Sequence, residues 1–84
     1  MSQPPEASFL TIVYTMATQS MIALGEIPNP ITKVARIDER QARWHLASLR
    51  ILADKTRGNL DEAEEMAIEN ALGEVEKVFS EKIG

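Results

Sequence analysis

The stretch LADKTRGNLDEAEE, residues 52–65, decides the fold, because it stops one helix and starts another within a few positions. Lys55 and Arg57 suit the negative end of a helix dipole, and Gly58 follows as the residue that takes a left-handed conformation and ends the helix. Asp61 with Glu64 three positions on is the aspartate form of a capping box. Glu62 and Glu65 complete an acidic first turn that suits the positive end of the next helix. Two helices joined by so short a turn form a tight hairpin.

Working outward, the same punctuation sets the remaining boundaries. Asp38 can cap the second helix, expected over 38–57, and the third is expected over 61–82. Upstream, Ile27-Pro28-Asn29-Pro30 forces an extended path, since each proline fixes its own backbone angle and disfavours the helical region for the residue before it. That makes 25–37 a proline-rich connector. The first helix is expected over 8–24, with Ser8 as N-cap or Pro5 as an early first-turn residue, and Gly25 after Leu24 as its stop. Residues 1–7 read as a flexible N-terminus. The expected architecture is all-α, with three helices in a single domain spanning 1–84. Gly73 inside the third helix costs roughly 1 kcal/mol against alanine, which suits either a close helix crossing or a local weakness.

Apolar spacing adds a prediction about association. Ile68, Leu72, Val75 and Phe79 form one buried stripe on the third helix, widened by Ala71 and Val78. The second helix carries Ala42, Leu46, Leu49 and Ala53 on one side and Trp44, Ala47 and Ile51 on another. The first is apolar nearly all round, with Thr11, Thr15, Thr18 and Ser20 as its polar remainder. A chain of 84 residues buries only about 60% of its unfolded surface, so this apolar excess points to a partner. Closed twofold dimers are the commonest oligomers, which makes a second copy the expected partner and a different protein the alternative. The candidate interface is Phe9, Val13, Met16, Met21 and Leu24 of the first helix with Trp44 and Ile51 of the second.

Composition narrows the function classes. Hydrophobic residues at 44% and charged residues at 26% are globular proportions, too apolar for a disordered chain. With no cysteine, disulfides, thiolate metal sites and a cysteine nucleophile are excluded, and the cytoplasm is the expected compartment. Phe9–Leu24 is neither a signal peptide nor a span: the first basic residue is Lys33, and the run is short and broken by threonines, Gln19 and Ser20. His45 is the only histidine, with no Glu-x-x-His spacing beside it, so no metal or other cofactor is expected. The glycines are isolated and no serine sits in a nucleophile motif, which makes catalysis the least favoured class. Met16, Met21 and Met66 could line an apolar pocket, though methionines at helical spacing read as core.

Charge is segregated along the chain. Residues 1–32 hold two acids and no base, 33–58 hold seven bases and three acids, and 59–84 hold eight acids and two bases. The basic second helix and acidic third helix are expected to complement each other within the chain or across a dimer. The alternative is nucleic-acid association through Arg36, Arg40 and Arg43 with Trp44 for stacking, against which the net charge of -4 argues.

Phe9, Ala17-Thr18-Gln19, Leu24 to Pro30, and Lys55-Thr56-Arg57-Gly58-Asn59-Leu60 followed by Glu64-Glu65 resemble the small bacterial family known as domain of unknown function 1844. The likeness runs from about Phe9 to Val78. Where that family usually has an acidic residue this chain has Ala47, and Trp44 and His45 stand where polar residues are more usual. The resemblance implies a short, cytoplasmic, helical bacterial protein and implies no activity, cofactor or substrate. Both motifs are turns, and the polar residues those turns present, Asn29, Lys55, Thr56 and Asn59, are the candidate turn-borne site.

Overall fold

A computed structural model describes residues 6–84, so most of the expected flexible segment over 1–7, and Pro5 as a first-turn residue, lie outside the described residues. The fold is all-α with three helices: α1 (Phe9–Ala23), α2 (Glu39–Lys55) and α3 (Glu62–Lys82). Each begins at a side chain that accepts a hydrogen bond from an otherwise unpaired amide. Ser8 accepts from the Thr11 amide, Asp38 from Gln41, and Asp61 from Glu64, whose own carboxylate accepts from the Asp61 amide to close the capping box. α1 ends in a Schellman turn, with the Gly25 amide donating to the Ile22 carbonyl and the Glu26 amide to Met21. Among the described residues, no helix is long and apolar enough to cross a membrane.

The core is where the three helices meet. Val13, Leu24, Leu49 and Val75 are fully buried, and Ala42, Leu46, Ile68 and Val78 close around them. α1 lies against both other helices, which reverses two expectations. Val13 and Leu24 face the shared core of a single chain and leave no surface for a partner, so they are removed from the interface. Ser20, expected on the polar remainder, is fully buried two helical turns from Val13, and its hydroxyl donates to the Met16 carbonyl at 2.8 Å. Phe9, Met16 and Met21 are half-buried against the same core.

The Cα frame measures 39 × 37 × 16 Å. Two helix layers about 8–10 Å apart fill the short dimension once backbone radii are added. No helix is therefore surrounded, and each keeps one side toward solvent.

The connector is a closed loop whose ends meet. Leu24 and Ile37 form an isolated antiparallel bridge, and the Asp38 amide donates to the Ala23 carbonyl at 2.7 Å. Gly25 sits at φ 74 where the two ends of the loop touch, and a side chain there would come within 3.2 Å of Ile37 Cγ1. Inside the loop the Asn29 side-chain oxygen accepts from the Ile31 and Thr32 amides, the Lys33 amide donates to the Asn29 carbonyl at 2.7 Å, and Lys33 is held at φ 63. This is the geometry of an Ω-loop pinned by an Asx turn.

Candidate functional site

The side of α2 facing away from the core carries the most exposed aromatic surface. With Ala42, Leu46 and Leu49 turned inward, Trp44 and Ile51 are left 64% and 60% exposed, two turns apart, with Ala47 exposed between them. The indole is braced by the neighbouring His45 ring, edge-on at 5.1 Å between centroids. Arg40 stands beside Trp44 at the N-terminal end of this face and makes no ion pair among the described residues. Asp54, at the other end, reaches only Arg57, at 3.7 Å with both side chains largely solvated.

The flank of α2 toward α3 behaves differently. Arg43 pairs with Glu39 at 2.8 Å and lies over the Phe79 ring at 5.2 Å, and Arg50 pairs with Glu76 at 2.9 Å. The expected complementarity between the basic and acidic helices is thus carried, among the described residues, by the single cross-helix pair Arg50–Glu76. Arg36, Arg40 and Arg43 do not form one row, because Arg43 is committed to Glu39 and Phe79. Met66 is exposed on α3, apart from the half-buried Met16 and Met21, so the three methionines line no common pocket.

A cleft of about 410 Å³ opens between the last turns of α1, the connector and the first half of α2. Gln19 and Ile22 line it from α1, Val34 and Arg36 from the connector, and Gln41 and His45 from α2. His45 Nδ1 is buried without a hydrogen-bond partner, and desolvation by burial lowers the pKa of the ring. The imidazole is therefore neutral at physiological pH. Among the described residues no three His, Cys, Asp or Glu side chains stand close enough to hold a metal ion.

The four turn residues do not form one site. Asn29 lines the cleft at the start of α2, while Lys55, Thr56 and Asn59 lie at the far end of a 17-residue helix, roughly 25 Å away at about 1.5 Å per residue. Two of them also have backbone duties: the Asn29 side chain holds the loop, and the Thr56 hydroxyl donates to the Leu52 carbonyl at 2.7 Å. The cleft itself was missed by reasoning from sequence. Its one local signal is the spacing of Asp38, Gln41 and His45, three and four residues apart, which places them along one side of α2.

Fold and surface together define a small three-helix protein with exposed apolar residues on the outer face of α2. Residues 6–81 match the family described as Domain of unknown function (DUF1844), which covers nearly the whole chain, and the protein belongs to that family. No curated protein and no solved structure matches the chain.

Proposed function

We propose that the protein is a non-catalytic interaction module of the cytoplasm that assembles with itself through the outer face of α2. The observation that carries this reading is the pair Trp44 and Ile51, large, apolar and mostly solvent-facing on the side opposite the core. Burying side chains of this size contributes about 1.5–3 kcal/mol each, a strong drive toward association for a chain with a core this small. The first helix, expected to share the interface, keeps a half-buried margin at Phe9, Met16 and Met21 and an exposed side at Ile12 and Tyr14, with no charged residue to set the register of a second copy. Trp44 is the sole tryptophan, so its fluorescence reports on this face alone. Its emission should shift to shorter wavelength as the chain is concentrated, and an emission maximum that stays at the value of exposed indole at every concentration counts against the proposal.

A second reading, association with nucleic acid through the basic second helix, draws on Arg36 and Arg40, which have no carboxylate partner among the described residues. It would require binding that weakens steeply with salt and that Arg36→Glu with Arg40→Glu abolishes.

A further inference from the structure

The exposed face of α2 is self-complementary when its direction is reversed, and this rests on the self-association proposed above. Its seam runs Arg40, Trp44, Ala47, Ile51, Asp54, alternating steps of four and three residues as in the contact line of two packed helices. Reversing the seam about Ala47 sets Arg40 opposite Asp54 and Trp44 opposite Ile51. The two pairings share a centre to within half a residue, about 0.75 Å of helix rise. We infer that two copies pair through α2 in antiparallel, twofold fashion, with Ala47 of each copy at the axis, Trp44 of each against Ile51 of the other, and Arg40 of each paired with Asp54 of the other.

Charge and shape on this face both favour that occupant. A parallel pairing would set arginine on arginine and aspartate on aspartate, whereas the antiparallel one matches opposite charges at both ends. Arg40 makes no ion pair among the described residues, and Asp54 has only its solvated 3.7 Å approach to Arg57, so neither is withdrawn from the surface. Ala47 at the crossing lets the backbones approach while the larger side chains interdigitate on either side. The outer side of α3, with Glu62 and Glu69, would complement Arg40 but would repel Asp54. An isologous contact also closes on itself, which limits assembly to pairs.

Because the chain has no cysteine, Ala47→Cys introduces a unique thiol. Twofold packing brings the two copies of that position within the roughly 7 Å between Cα atoms that a disulfide spans, so mild oxidation should give a covalent dimer in high yield. Asn70→Cys, exposed on α3 and outside the groove that Ala47 and Ser80 share, should stay monomeric under the same conditions. Arg40→Asp and Asp54→Arg should each weaken association roughly tenfold at low salt, and the double variant should restore it, since it exchanges the charges without changing the match. Circular dichroism of each variant checks that helicity is retained. If the wild type dimerises but Ala47→Cys fails to cross-link and the double charge exchange fails to rescue, the antiparallel arrangement is wrong while self-association stands. A wild type that remains monomeric overturns both.

Discussion

Gly73 lies in the middle of α3 with nothing within 4 Å of where a side chain would project. Of the two readings the sequence allows, this geometry removes a close crossing within the chain and leaves a helix interior weakened for lack of a β-carbon. Gly73→Ala should therefore stabilise the protein by about 0.5–1 kcal/mol, raising the thermal midpoint by several degrees; a lowered midpoint would contradict the open surroundings. His45 makes a pH prediction. Its folded-state pKa lies below the unfolded value of about 6.5, so its contribution to stability is fully present above that value and is lost as pH falls through the lowered one. Asp38 and Arg36 line the same cleft and are common to wild type and His45→Gln, so comparing the two isolates the imidazole. The midpoint of wild type relative to His45→Gln should drop as the pH falls below about 6.5, and a constant difference would contradict a desolvated ring. Ser20 was misplaced on sequence grounds because a hydroxyl reads as polar, yet in a helix it can satisfy itself on the carbonyl four residues back, as it does on Met16.

Helix ends were legible because caps are local chemistry: Ser8, Asp38 and Asp61 act within three residues of themselves, and all three accept the bonds their positions imply. The inward side of α2 was legible for the same reason, since Ala42, Leu46 and Leu49 form a stripe that needs no knowledge of a neighbour. The rotation of α1 was not, because an almost uniformly apolar helix offers no moment to orient it, and only its seat between α2 and α3 selects Val13 and Leu24 as core. The connector's prolines justify an extended path, but its closure depends on Leu24 meeting Ile37 across the twelve residues between them. Asn29 is the residue on which that loop turns. Asn29→Ala should remove the side-chain acceptor from the Ile31 and Thr32 amides and speed their hydrogen exchange while the helical signal stays constant. Unchanged exchange at those two amides would show that the loop is held by its backbone bonds alone.

At the scale of the molecule, a Cα frame 16 Å thick leaves three helices with too little mutual cover for their apolar residues. The surplus lies on the connector, where Ile31 is 87% exposed, on the outer face of α2, on α1 at Ile12 and Tyr14, and on α3 at Met66. Of these, only the outer face of α2 joins a regular apolar spacing to opposite charges at its two ends, which favours assembly there over α1, whose helix carries no charged residue, and over the loop. The charge layout fits as well, since in the proposed dimer an acidic α3 surface left solvated would oppose further association. The most direct test is the mass of the untagged wild-type chain by sedimentation equilibrium over a broad concentration series, with Trp44→Glu alongside. A monomer–dimer equilibrium is expected for the wild type and a folded monomer throughout for Trp44→Glu. A wild-type chain that is a folded monomer at every concentration would contradict it.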